Sequence, residues 1–574
     1  MTTEPRGQQG QPTSHDPQAP EPGKPCRTGP RHDLAVAAAL AVAVWALLSL
    51  TAWDIGLTYD EPIYMSRADM AARWLGVLVT APGAALSRPV IDECWLGKDQ
   101  HPGLMKLTTA LTSRLVLALH LLPGWAMPLT WMRTGTIFWM GITLGAMYLL
   151  LRAAGVGRAA SLFAPAAVLF MPRVFAHAHL AALDAPALAT CFLAVAAAWW
   201  ALERSDRLSV VLAGLAFGTA IATKLNGFFV PVVVLPYALL LRPRRAGALA
   251  LSYALLGTAV FFLTWPWLWH DTWTRLGDYL AFHWRHWEIG VMYFGRIYTL
   301  APWHYPLVMT GITTPPLTLL MALAGLGGWL SLLGRLSKGK PADWQPVRRL
   351  WLLAGWALAV NLAPNMLPSS PKYGGVRLFL PAMAWLGVLA ALAAGRVLHR
   401  LRAAVPLPRE QGWVVSAVLM ALLLLPSVAE VSHCHPYCLS AYNGLIGGLP
   451  GAARRGFEPT YWGDTYLAAA LWLSDNAPPG ATVWIEPQGM ESVVRMYRYL
   501  GPLRPDLRTT SGNAAFATAD FIVSQNKPTE FSRRVRQLLA TRQPLWTDGL
   551  DGVPLVFVWR QGTAEASAGA PLRR

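Results

Sequence analysis

Apolar residues run through this chain in blocks of about 15 to 25, broken by short connectors rich in arginine. A block of that length matches the ~30 Å hydrocarbon core of a bilayer, where a helix satisfies its backbone hydrogen bonds internally. The pattern predicts membrane-spanning helices near 34–53, 134–151, 159–172, 184–202, 208–223, 227–241, 247–268, 306–334, 349–367, 377–395 and 411–430. The blocks at 159–172 and 227–241 are short and suit a helix that tilts little or lines a cavity. A further apolar stretch at 103–122 is interrupted by Lys106, Arg114 and His120, which predicts an amphipathic helix at the membrane surface.

After residue 430 the pattern changes. Short β-rich runs at Ala481–Ile485, Asp520–Ser524 and Pro554–Trp559 alternate with helical patterns at Thr465–Asp475 and Ser492–Leu500. Pro478, Pro479 and Gly480 mark the first helix-to-strand turn. Residues 431–574 are therefore expected to form a small α/β domain. At the other end, residues 1–33 are rich in Pro, Gly, Gln, Thr and Ser, as expected of a disordered tail. The first apolar block, from Leu34, is too long and too late for a cleaved signal peptide and is expected to stay as an anchor.

Charge sets the expected orientation. Lysine and arginine crowd the connectors at 152–158, 204–207, 242–245, 335–349 and 396–409, while the alternate short connectors hold only Arg173, Lys224 and the pair Lys372 and Arg377. Positive loops stay on the cytoplasmic side. This puts the tail inside and three features outside together: the long loop 54–133, the loop 269–305, and everything after residue 430. Composition agrees. Of 574 residues 54% are hydrophobic and 14% charged, against about a quarter charged in soluble domains. The net charge of +17 lies in short loops between apolar blocks, so membrane topology explains it and nucleic acid is not an expected partner.

Several polar groups stand where apolar blocks meet the outer loops. Thr58-Tyr59-Asp60-Glu61-Pro62-Ile63-Tyr64 follows the first span. Two adjacent carboxylates there suit either the start of a helix or a general base that takes a proton from an acceptor hydroxyl. His101-Pro102-Gly103-Leu104 with Lys106 comes next, and then His177, His179 and Asp184-Ala185-Pro186 at the mouth of a later span. A carboxylate at that depth is costly and usually serves a function. His177 and His179, two apart, would point to different helix faces, so a metal site made by that pair alone is not expected. Thr223-Lys224-Leu225-Asn226-Gly227 and Lys372-Tyr373-Gly374-Gly375-Val376-Arg377 add cations at headgroup level. Each cation alone suits a membrane anchor, whereas the set together suits a phosphate pocket. The cysteines are few. Cys434 and Cys438, flanking His435, Pro436 and Tyr437, fit free thiols, a disulfide or a metal site with His433 and His435.

In their order these residues resemble a family, the polytopic glycosyltransferases of the GT-C fold, in the branch of dolichyl-phosphate-mannose protein mannosyltransferases and bacterial lipid A aminoarabinose transferases (glycosyltransferase family 39). The matching pieces are Asp60-Glu61, His101-Pro102 with Lys106, Asp184-Ala185-Pro186, Thr223-Lys224 with Asn226-Gly227, and the run from Tyr373 to Pro381. Pro436-Tyr437, Tyr442-Asn443, Gly447-Gly448, Gly451-Ala452 and Tyr461-Trp462-Gly463 resemble a bacterial subgroup. The resemblance runs from about residue 34 to about residue 485.

The resemblance implies a mainly α, polytopic membrane protein. It would have a GT-C-like bundle of about eleven transmembrane helices over 34–430 and a small C-terminal extracytoplasmic α/β domain. It implies transfer of a mannose-like hexose or a pentose from a polyprenyl-phosphate donor to a hydroxyl on a protein, lipid or glycan acceptor, with inversion, at the outer face of the inner membrane. Asp60 would be the base, with Glu61 and Asp184 as further catalytic carboxylates. His101, Lys106, Lys224 and Arg377 would hold the donor phosphate, and Tyr64 and Tyr373 would line the substrate site. No cofactor or protein-bound metal is implied, and dependence on a divalent ion stays open. The chain departs from the family pattern at Ile63, where many relatives have Arg or His, and at Gly103, where a second Pro is usual. The alternative class is a transporter or flippase of lipid-linked sugars, although no paired hydropathy halves support it.

Overall fold

The computed structural model describes residues 30–95, 101–204, 206–284, 289–404 and 408–561. The tail expected at 1–33 falls outside them except for its last four positions. Pro30 already starts the first helix, Pro30–Leu50, which lies along Thr134–Ala153. Gly141 and Gly145 open that contact: a Cβ on either would stand 2.9 or 2.8 Å from a carbonyl oxygen of the first helix.

The chain is a polytopic helical membrane protein. Among the described residues seven helices are long and apolar enough to cross a membrane: Arg31–Leu50, Met127–Ala153, Asp184–Glu203, Pro243–Leu263, Pro316–Leu333, Pro381–Ala404 and Gln411–Cys434. Other predicted spans are shorter or broken, and proline explains most of the breaks. The block at 159–172 ends at Leu169, and a second helix, Pro172–His179, leaves at 72°. Pro172 has no N–H to continue the first helix but suits the start of the second. The 306–334 block splits into Tyr305–Thr313 and Pro316–Leu333 around Pro315. The blocks at 208–223 and 227–241 become the short helices Arg207–Ile221 and Leu225–Leu241.

The surface helix predicted at 103–122 is Leu104–Ala118, and its polarity is turned inside out. Lys106, Thr109 and Ser113 face the protein, while Leu111, Leu115 and Leu119 are more than half exposed. Thr112 and Thr108 take hydrogen bonds from Thr134 Oγ1 at 3.1 Å and Trp139 Nε1 at 3.4 Å. In a lipid-facing helix the polar side turns inward, because hydrocarbon cannot satisfy it.

The last domain has five strands in the order Arg508–Thr510, Thr482–Glu486, Phe521–Gln525, Val553–Arg560, Trp546–Leu550. The first three are parallel, and the last two close as an antiparallel hairpin at Asp551-Gly552. Both turn residues have positive φ, 52° and 76°, the geometry that suits tight hairpins. The predicted strands and helices lie within a residue or two of the observed ones. This domain does not hang free. Tyr466, Leu467, Val493 and Tyr497 share one core with Leu57, Met65, Leu129 and Met132 of the first long loop, and Leu57 N–H donates to Tyr497 Oη at 2.6 Å. A groove of about 550 Å³ between the two is lined by Trp53, Trp125, Tyr437 and Asp464 among others.

Candidate active site

Asp60 stands at the residue before Glu61–Thr80, with its side chain making no capping hydrogen bond to that helix. Asp184 opens Asp184–Glu203, where the helix dipole favours a carboxylate. Lys224 follows Arg207–Ile221, and Arg377 sits in the turn that leads into Pro381–Ala404. Four separate elements thus deliver two carboxylates and two cations to one place.

They are linked in a row. Lys224 Nζ donates to Asp184 Oδ1 at 2.6 Å. Arg377 Nε donates to Asp184 Oδ2 at 2.9 Å, and its Nη2 donates to Asp60 Oδ2. The formal charges of the row cancel. The side chains of Asp60, Lys224 and Arg377 stay partly open, at 20%, 15% and 15% exposure, whereas Asp184 is sealed. The Trp462 ring packs on the guanidinium, with Cζ 3.8 Å from the ring centroid. A cation held against an aromatic face is fixed in orientation as well as position. His177 Nδ1 lies 4.0 Å from Asp184 Oδ2, and its Nε2 shares a hydrogen bond of 3.3 Å with Tyr461 Oη. His179 turns elsewhere, to Thr51 Oγ1 at 2.8 Å, so the two histidines do occupy different faces.

The turn before Arg377 depends on two glycines. Gly374 and Gly375 both have φ +64°, a left-handed backbone that side chains disfavour. A Cβ on Gly375 would also fall 1.9 Å from Arg173 Nη1. Arg173 is itself buried, with Cζ 4.6 Å from the Tyr442 ring and 5.4 Å from Tyr461. Gly375 N–H donates to Tyr305 Oη at 3.1 Å.

Tyr64, His101 and Lys106 form the neighbouring wall. They line a small cavity of about 20 Å³, room for about one water. The Tyr64 and His101 rings are 5.9 Å apart. Burial, then the charge of Lys224, pushes His101 well below the ordinary histidine range. Burial pushes Lys106 well below the ordinary lysine range, and Lys106 Nζ donates to the His101 carbonyl at 2.8 Å. Tyr373 sits within electrostatic reach of Arg377, Asp184 and Asp60, and burial raises its hydroxyl to about 12.

Glu61 is the correction. The sequence suggests a second catalytic carboxylate, but the structure seals it away from any substrate. Glu61 and Arg133 form a two-point ion pair, Nε to Oε1 at 2.8 Å and Nη2 to Oε2 at 2.9 Å, with neither side chain exposed. Glu61 also accepts from the N–H of Thr58 at 2.9 Å and of Ala181 at 2.8 Å. The remaining Arg133 donors go to the carbonyls of Ala52, Ile55 and Gly56. These bonds tie the start of the first long loop, beside Asp60, to Arg133 and to Ala181.

Two features escaped the sequence. Arg133 lies in an apolar stretch with nothing local to pair it with Glu61. Trp462 belongs to the resembling Tyr461-Trp462-Gly463 run, but only the fold brings it onto Arg377. Among the described residues no three His, Cys, Asp or Glu side chains converge as metal ligands. Cys434 and Cys438 are free thiols with Sγ atoms 2.8 Å apart, while His433 pairs with Asp551 at 2.6 Å and His435 with Asp54 at 2.9 Å.

The chain is a helical membrane protein with paired carboxylates and cations at the ends of its helices, and comparison with known proteins finds one family match over part of it. Residues 124–277 match the family model described as dolichyl-phosphate-mannose-protein mannosyltransferase. The chain is similar to that family over this stretch, which carries Arg133, Asp184 and Lys224. No curated protein matches by sequence. Among solved structures, the ArnT of Cupriavidus metallidurans, crystallised with undecaprenyl phosphate, is 16% identical. The match covers 94% of this chain and 100% of that one, with a TM-score of 0.45. The mycobacterial arabinofuranosyltransferase AftD is 14% identical, over 93% of this chain and 42% of that one, with a TM-score of 0.37.

Proposed function

We propose that this protein is a membrane glycosyltransferase that moves a sugar from a polyprenyl-phosphate donor to an acceptor hydroxyl at the outer face of the membrane, with Asp60 as the base. The observation that carries the proposal is the row Asp60–Arg377–Asp184–Lys224. It sets a partly exposed carboxylate beside cations at the mouth of a helical bundle. The mannosyltransferase family match over 124–277 supports the same reaction class.

In this reaction Arg377 has two tasks in sequence. At rest its Nη2 is held by Asp60. A donor phosphate competes for that edge, since guanidinium grips phosphate through parallel N–H bonds. Asp60 is then released toward the acceptor. Asp184 keeps Nε and stops the guanidinium from turning away. In the chemical step the acceptor oxygen bonds to the anomeric carbon, its proton passes to Asp60, and the bond from that carbon to the phosphate oxygen breaks. The lipid phosphate leaves with one more negative charge, which Arg377 and Lys224 offset. Inversion follows if the acceptor attacks opposite the phosphate. A phosphate close to Lys106, a neighbour of His101 on the cavity wall, favours the charged form of its amine.

Supplying the purified protein in lipid with a polyprenyl-phosphate sugar and a panel of protein, lipid and glycan acceptors tests this reading. Product that forms in the wild type and disappears in Asp60→Asn supports it. Absence of any transfer across donors, or undiminished transfer in Asp60→Asn, contradicts it.

A further inference from the structure

The Pro381–Ala404 helix joins two ends of the bundle. Arg377 stands just before its start, and its far end lies 24 residues on, about 36 Å at ~1.5 Å per residue. At that far end is a second cavity, of about 520 Å³. It opens between the start of Arg158–Leu169, the end of Pro316–Leu333, the start of Pro346–Leu362, the end of Pro381–Ala404 and the start of the last spanning helix.

The charge of this cavity is one-sided. Arg158, Arg335, Arg348, Arg396 and Arg402 all line it, and no acidic side chain does among the described residues. Arg158 is partly neutralised by Asp33 at 3.5 Å, and Arg402 donates to the Gly412 carbonyl. Arg335, Arg348 and Arg396 have no carboxylate within ion-pair distance among the described residues. Elsewhere at this end Arg349 is matched with Glu203 and Arg152 with Asp33 at 3.2 Å, while Arg207, Arg242 and Arg244 are exposed and line no part of this cavity. What sets Arg335, Arg348 and Arg396 apart is that they gather around one hollow.

Most of the rest of the lining is apolar, with Ser331, Gln345, His399 and Ser416 as its other polar side chains. Leu332, Leu392, Leu398 and Trp413 line it, Leu392 about three turns inside the end of Pro381–Ala404, and Trp413 is 58% exposed. Trp351 stands behind Arg396, with Cζ 5.9 Å from its ring and its indole N–H held by the Gly325 carbonyl at 2.8 Å. A soluble anion needs no such wall. A molecule with an anionic phosphate and a hydrocarbon chain matches both halves.

We infer that this cavity is a binding site for the headgroup of an anionic glycerophospholipid, with its phosphate among Arg335, Arg348 and Arg396 and its chains along the apolar flank. The site lies about one membrane thickness from the Asp60–Arg377 row and does not depend on what reaction that row performs. A lipid bridging these five helices at their base would brace the bundle at the end where the sequence places the cytoplasm.

Thermal unfolding of the full chain in neutral detergent tests the site, with phosphatidylglycerol, phosphatidylcholine, a polyprenyl phosphate and inorganic phosphate added separately. Phosphatidylglycerol is expected to raise the midpoint at the lowest concentration, and phosphatidylcholine and inorganic phosphate are expected to leave it unchanged. The triple variant Arg335→Gln, Arg348→Gln, Arg396→Gln should weaken phosphatidylglycerol binding by about 100-fold. Removing the same charge at Arg207, Arg242 and Arg244, exposed at the same end but outside the cavity, should leave binding intact. Equal weakening by the two triple variants would reduce the effect to general surface charge and overturn the site. Protection by inorganic phosphate alone, or by polyprenyl phosphate and not phosphatidylglycerol, would overturn the assigned ligand.

Discussion

Asp60 and Glu61 are neighbours in the chain with opposite surroundings: Asp60 keeps an open edge beside Arg377, while Glu61 is locked without exposure against Arg133. The Asp-Glu pair that looks in sequence like two candidate bases is one partly open carboxylate and one buried ion-pair partner.

The pair therefore separates stability from activity. Glu61→Gln leaves a buried guanidinium without its counter-charge, a loss expected to cost about 3–5 kcal/mol. It should lower the unfolding midpoint and the yield in detergent. Asp60→Asn should cost much less, because Arg377 keeps Asp184 and the Trp462 face. Midpoints measured side by side check this, and equal losses would contradict the division of roles.

Arg377→Lys tests the clamp on the donor. Lysine keeps the charge but cannot hold Asp184 and a phosphate on separate nitrogens in one plane. The variant should insert and fold while needing more lipid-linked donor for half-maximal rate. Wild-type rates at low donor concentration would return Arg377 to an anchoring role and leave the phosphate to Lys224.

The two turn glycines should respond unequally. Gly374→Ala meets only the left-handed backbone, worth about 1–2 kcal/mol, with its nearest neighbour atom 3.5 Å away. Gly375→Ala pays the same backbone cost and must also displace Arg173. Its unfolding midpoint should fall further and its activity should fall with it, and a larger effect at Gly374 would be contrary to this packing.

Asp464 should shape the pH dependence of stability. It is 2% exposed, and neither carboxylate oxygen has a well-formed hydrogen bond among the described residues. Burial pushes its pKa from 3.8 up to about 7. A raised acid binds its proton more tightly folded than unfolded, so its contribution is full below about pH 4 and is lost as pH rises to about 7. Asp464→Asn should remove that part of the slope and leave the protein more stable than wild type at pH 8. Unfolding midpoints from pH 5 to 8 read this directly.

Much of the bundle was legible because spans and strands are written in local patterns. The apolar blocks and the three sheet runs near 482, 521 and 554 follow from residues close in sequence, whereas the breaks at Pro172 and Pro315 were not read from it. Asp60, Asp184, Lys224 and Arg377 were also legible, since polar groups at the ends of apolar blocks are costly without a function. Contacts across the chain were not legible. The Glu61–Arg133 pair spans 72 residues, and the stacking of Trp462 on Arg377 depends on how the last domain docks against the first loop. The inverted polarity of Leu104–Ala118 was half visible: the pattern shows an amphipathic helix, but only packing tells which face turns inward.

The most direct test of the central claim is single-turnover transfer from a polyprenyl-phosphate sugar, comparing wild type with Asp60→Asn at matched folded protein. A general base is worth about 10²–10⁴ in rate. Asp60→Asn is expected to lose at least the lower of these while binding the donor as tightly as wild type or tighter, since Arg377 is freed of its resting partner. Transfer by Asp60→Asn at the wild-type rate, with donor binding unchanged, would contradict the assignment of Asp60 as the base.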